Sequence, residues 1–104
     1  MRGEDLRFAP RRKRRLPAFV MFDGGVNALP CHIVDISTTG ARLEMPSGWQ
    51  NAMIYVLDRP DTRVRLVERV EKVSYECKII RHKANELALK FMAPPVLPGV
   101  SRRK

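Results

Sequence analysis

Apolar residues along the chain recur in short runs with the two-residue period of β-strands, broken by glycine, proline and small polar residues. Residues 18–22 form the first run, closed by Asp23-Gly24-Gly25, a strong turn signal. Residues 29–36 form the second, with Cys31 and Ile33 on one face and His32, Val34 and Ile36 on the other. Ser37-Thr38-Thr39-Gly40 interrupts it before residues 41–45, and Pro46-Ser47-Gly48 ends that run. Residues 52–57 read as a fourth strand from their β-branched and aromatic content, leaving Trp49 in the preceding loop. After the turn Asp58-Arg59-Pro60-Asp61, residues 63–81 are ambiguous, because Val64, Val67 and Val70 also fit one helical stripe. Strand is preferred there for the valine content and for the alternation of Val73, Tyr75, Cys77 and Ile79 with Ser74, Glu76 and Lys78. Lys83-Ala84-Asn85 then turns into residues 86–92, where Leu87, Leu89 and Phe91 alternate with polar or small neighbours.

These elements predict an all-β fold, a small six-stranded antiparallel barrel, since an open sheet of so many short strands would expose long edges. Pro94, Pro95 and Pro98 argue against a substantial C-terminal helix. The expected organisation is a flexible basic N-terminal arm over residues 1–10, a barrel domain over residues 11–92 and a proline-rich basic tail over residues 93–104. The 104 residues suffice for one core and the apolar fraction of 44% is that of a globular chain.

Charge changes the picture only once it is located. The chain carries 20 Lys and Arg against 11 Asp and Glu, a net charge of +9. Residues 1–16 hold +5 of it and Arg102, Arg103 and Lys104 another +3, which leaves the body near neutral. A folded face that is basic throughout, as for a general polyanion binder, is thereby disfavoured. No run approaches the ~18 apolar residues of a membrane span, and no apolar stretch follows the basic N-terminus as in a secretory signal. A cytoplasmic location without membrane insertion is expected, and Cys31 and Cys77 fit reduced core thiols.

Two places carry chemistry. Arg11-Arg12-Lys13-Arg14-Arg15 is a cationic block in which an extended backbone would turn Arg11, Lys13 and Arg15 to one side. A guanidinium offers paired hydrogen bonds to phosphate or to the O6/N7 edge of guanine. In Asp35-Ile36-Ser37-Thr38-Thr39-Gly40, the Asp35 carboxylate suits the N1 and N2 donors of guanine, the Ser37 hydroxyl suits a phosphate oxygen or the local backbone, and Gly40 permits a close approach. From residue chemistry alone, a guanine-and-phosphate ligand follows, without a choice among cyclic dinucleotide, GTP and RNA.

Together, Arg-x-x-x-Arg at Arg11 and Arg15, followed by Leu16-Pro17 and a first strand, and Asp-x-Ser-x-x-Gly at Asp35, Ser37 and Gly40, followed by Ala41-Arg42-Leu43, resemble the PilZ domain. The resemblance runs over about residues 10–92. It implies a six-stranded antiparallel barrel acting as a receptor for the bacterial second messenger cyclic di-GMP, with Arg11, Arg15, Asp35, Ser37 and Gly40 as ligand-binding residues. Arg12 and Arg14 are possible additional contacts, and ordering of the arginine segment is the expected signal to an unknown downstream protein. Many relatives carry Trp and Gly where this chain has Ile80 and Ala88, departures expected to alter barrel details more than binding.

The alternative is a small basic barrel that holds RNA or DNA through its tails, but Phe19, Phe22, Tyr55, Tyr75 and Phe91 are spaced as core residues rather than a stacking platform. An enzyme is less favoured. Ser37 lacks a nucleophile-elbow context for a triad with Asp35 and His32 or His82, and Cys31, His32, Cys77 and His82 lack zinc-ligand spacing. The sequence therefore predicts no catalysis, no metal and no cofactor beyond the ligand.

Overall fold

The computed structural model describes residues 15–22, 24–59 and 62–98. The expected N-terminal arm, Arg11, Arg12 and Arg14, and the C-terminal basic cluster lie outside them. Strands β1 (Leu16–Phe22), β2 (Asn27–Ile36) and β3 (Gly40–Glu44) precede two single-turn helices, α1 (Trp49–Ala52) and α2 (Ile54–Leu57). Strands β4 (Arg63–Glu68), β5 (Ser74–Lys83) and β6 (Glu86–Phe91) follow. The six strands close into an antiparallel barrel in the order β1-β2-β3-β6-β5-β4, so every strand has two neighbours and no edge is left open.

Alternation explains the core. Ala18, Val20 and Phe22 of β1, Cys31 and Ile33 of β2, Ala41 and Leu43 of β3, Val64 and Leu66 of β4, Cys77 of β5 and Leu87 and Leu89 of β6 all point inward and are buried. Burial pushes the thiols of Cys31 and Cys77 up to about 12, so they remain protonated packing groups at neutral pH. Among the described residues Glu68 is the buried acid. Its two carboxylate oxygens accept the Val70 and Glu71 amides at 2.8 and 2.9 Å, and so close the turn between β4 and β5.

Three expectations are corrected. Residues 52–57 are helical rather than a strand, because Trp49, Met53 and Val56 fall at helical spacing and are buried while Ile54 and Tyr55 are exposed. A strand would have divided those apolar residues between two faces. Trp49, expected in a loop, begins α1 and is buried, and its Nε1 donates to the Ala84 carbonyl at 2.8 Å, fastening α1 to the turn between β5 and β6. The sixth strand instead comes from residues 63–81, which divide at the turn around Lys72.

The third correction concerns the faces of β2. Unbroken alternation would place Asp35 on the inner face with Cys31 and Ile33. The register between β2 and β3 slips between Ile33 and Asp35, a bulge at Val34, and pairing resumes with Asp35 opposite Arg42 and Ile36 opposite Ala41. Ile36 therefore packs against the core, and Asp35 is turned to the outer face. Past β6, Val96 pairs with Ser74 through reciprocal backbone bonds of 2.8 and 2.9 Å, so the beginning of the proline-rich segment is tied to β5.

Candidate functional site

Two small residues open a depression on the outside of the barrel. Across β3, β6 and β5 the register sets Arg42 beside Ala88 beside Arg81, with Gly40 beside Lys90 in the neighbouring row. Gly40 and Ala88 contribute little or no side chain, and the surrounding longer groups leave an open space of about 450 Å3. Asp35, Ser37 and Thr39 line one side of it, and Ile80, Arg81 and Lys90 line the other.

Each motif residue is positioned by local physics. The bulge at Val34 aims Asp35 outward, where its Oδ2 accepts a hydrogen bond from Arg42 Nη2 at 3.1 Å. Ser37 opens the tight connection from β2 to β3, its amide donating to the Gly40 carbonyl at 2.9 Å. The Ser37 hydroxyl accepts the Thr39 amide at 3.2 Å and lies 3.2 Å from the Thr39 hydroxyl, so the turn satisfies its own polar groups and presents two adjacent hydroxyls to the depression. Gly40 is required for packing. A Cβ there would stand 2.2 Å from the Leu89 carbonyl oxygen, a backbone atom that cannot move aside.

Arg15 immediately precedes β1 and forms an ion pair with Glu44 at the far end of β3. Arg42 lies between two acids, bonded to Asp35 and with its Nε 3.2 Å from Glu86 Oε2, although no hydrogen bond is aligned at that nitrogen. Arg15, Glu44, Glu86, Arg42 and Asp35 are thus linked by ion pairs and strand register across β3 and its neighbours. The structure brings Asp35, Ser37 and Gly40 into one depression and ties Arg15 to the strand that carries Gly40.

Sequence reasoning missed Thr39, Arg42, Arg81 and Lys90. Thr39 and Arg42 flank the recognised hexapeptide, whereas Arg81 and Lys90 reach the site only through the β3-β6-β5 register. Ile80 and Ala88, two positions expected to bear on barrel details more than on binding, both line the depression.

Comparison with known proteins agrees with the geometry. A protein-family profile described as PilZ domain matches residues 5–97. The crystal structure of the PilZ domain of CeSA from a cellulose synthesizing bacterium superposes with a TM-score of 0.61 at 18% identity, covering 82% of each chain, a likeness of fold. No curated protein gives a match. With a profile spanning nearly its whole length and a closed barrel of the same fold, the chain belongs to the PilZ domain family, a family of cyclic di-GMP receptor domains rather than enzymes.

Proposed function

We propose that this chain is a single-domain adaptor that binds cyclic di-GMP at the depression over Gly40 and Ala88, with Arg11 and Arg15 closing on the ligand from the N-terminal side. The observation that carries the reading is the convergence of Asp35, Ser37 and Gly40 on one open depression, on strands linked to Arg15 through Glu44. Asp35 accepts the N1 and N2 donors of one guanine through its carboxylate. Ser37 and Thr39 offer hydroxyls to a phosphate or ribose, and Gly40 leaves the floor low enough for a base to approach.

Arg15 carries the exchange. Its guanidinium is neutralised by Glu44, an exposed pair of the kind worth about 0–1 kcal/mol. A phosphodiester or the O6/N7 edge of guanine offers a bidentate contact worth about 1–3 kcal/mol and so displaces that carboxylate. Leaving Glu44 draws Arg15 and the residues before it towards the ligand, and their new position is the signal to a downstream protein. Arg12 and Arg14 supply further positive charge beside the same ligand. A bacterial cytoplasmic setting follows from the messenger, and no helix among the described residues is long and apolar enough to cross a membrane.

Calorimetric titration tests the reading. Cyclic di-GMP binds the parent chain saturably, and Arg15→Ala weakens binding at least tenfold. Equal affinity in the two proteins contradicts the assignment of Arg15.

A further inference from the structure

The wall of the depression opposite Asp35 and Ser37 is built from residues that neither arginine nor aspartate motif contains. β5 carries a register slip between Ile79 and Arg81 with Ile80 as the extra residue, the second bulge bordering this depression after the one at Val34. Without it Arg81 would continue the inward series of Cys77 and Ile79. With it Arg81 pairs with Ala88 and turns outward, and the position opposite Leu87 passes to His82, which is exposed and lies edge-on to the Trp49 ring. Such bulges re-aim side chains, and they are frequent beside binding sites.

The result is chemically unusual for an otherwise near-neutral barrel. Arg81 and Lys90 are exposed, line the same depression and have no acidic partner among the described residues, whereas Arg15, Arg42 and Arg65 are all paired with carboxylates. Arg81 opposes Ala88, two positions before Lys90 on the same face of β6, so the two cations stand on a cross-strand diagonal with a spacing of about 7–8 Å. Both side chains can reach a single anionic group held between them. Ile80 is 55% exposed beside them, an apolar surface at the lip of a polar site.

We propose that Ile80, Arg81 and Lys90 form a second ligand subsite, in which Arg81 and Lys90 hold one phosphodiester of the ligand and Ile80 packs against a purine face. The inference rests on the cyclic di-GMP reading and deepens it. The arginine segment and the β5-β6 wall each take one phosphate of a doubly anionic ligand, while Asp35 orients a guanine between them. Two unpaired cations side by side repel one another, and an anion that neutralises both removes that cost on binding.

The test is calorimetric titration of cyclic di-GMP into the parent chain and into Arg81→Gln, Arg81→Lys, Lys90→Gln and Ile80→Ser, with Arg63→Gln as the control. Arg63 is an exposed cation on β4 that does not line this depression, so its variant loses the same unit of charge without touching the subsite. Far-ultraviolet circular dichroism verifies that each variant is folded. Arg81→Gln and Lys90→Gln each weaken binding about 3- to 30-fold, as for loss of a charge-assisted hydrogen bond at an open site. Arg81→Lys loses less, Ile80→Ser weakens binding a few-fold and Arg63→Gln changes it less than twofold. A parent chain that binds while all the charge variants, Arg63→Gln included, weaken equally overturns the subsite in favour of a general field and leaves the receptor reading standing. A parent chain that binds with affinity untouched by Arg81→Gln and Lys90→Gln overturns it as well. A parent chain that does not bind overturns both readings.

Discussion

The pair β3–β6 has one backbone and two unlike faces. Inside, Ala41, Leu43, Leu87 and Leu89 fill the barrel with apolar volume. Outside, Gly40 and Ala88 leave space, and Arg42 and Lys90 border it with charge. The inner face is made by filling and the outer by omission. They meet at Gly40, whose missing side chain lets β6 approach and which also lines the depression.

Either face can be perturbed by itself. Leu43→Ala, at a fully buried position, should cost about 2–5 kcal/mol of unfolding free energy in urea, whereas Lys90→Ala on the outer face should stay within about 0.5 kcal/mol. Equal effects would mean that the two faces are not energetically distinct. Gly40→Ala comes next: the clash with the Leu89 carbonyl should cost about 1–3 kcal/mol and lower ligand affinity together with stability. Were Gly40→Ala to leave denaturation unchanged, the close approach of β6 would not be what fixes glycine there.

Titration reads the inner face without mutation. Folding raises the pKa of Cys31 and Cys77 from an ordinary 9.0 to about 12, so the unfolded chain releases these protons first. The stabilisation they reflect is complete below about pH 9 and is lost as pH rises from there towards 12, at up to about 1.4 kcal/mol per pH unit per thiol. Native thiols should accordingly resist a disulfide reagent at pH 8 and react only at the rate of unfolding. Rapid labelling of either cysteine in the folded chain would contradict that picture.

The smallest effect belongs to the outer face. Glu44→Gln releases Arg15 from its carboxylate partner and should tighten cyclic di-GMP binding about two- to fivefold, as expected from losing an exposed ion pair that competes with the ligand. The gain should vanish in an Arg15→Ala background. If it persists there, Glu44 acts on the ligand directly and not through Arg15.

The inner face was the more legible of the two in the sequence. Period-two alternation locates residues 18–22, 41–45 and 86–92 because alternate residues of each strand supply the large apolar side chains that fill the barrel. Residues 52–57 misled because β-branched content suggested a strand, whereas the burial of Trp49, Met53 and Val56 follows a helical stripe across a single-turn break. The outer site was legible where it is contiguous, at Asp35, Ser37 and Gly40. Ile80 and Arg81 were not, because a one-residue slip in β5 decides which face each occupies and a bulge leaves no pattern in an isolated strand, and Lys90 was not, because only the pairing of β6 with β3 brings it beside Gly40. The same limitation explains Asp35 and Ile36: simple alternation assigns both to the wrong face, and only the slip at Val34 corrects them.

Calorimetric titration of the parent chain distinguishes a depression outside β3–β6 that serves one small guanine dianion from one that attracts polyanions in general. Cyclic di-GMP, GTP and a short single-stranded RNA are compared at low and high salt. Cyclic di-GMP should bind saturably and still do so at high salt, with GTP and RNA far weaker. Similar binding of all three ligands, falling together with salt by ~0.7 logarithmic units per contacted phosphate for the RNA, would contradict it and leave a basic tail as the binding element.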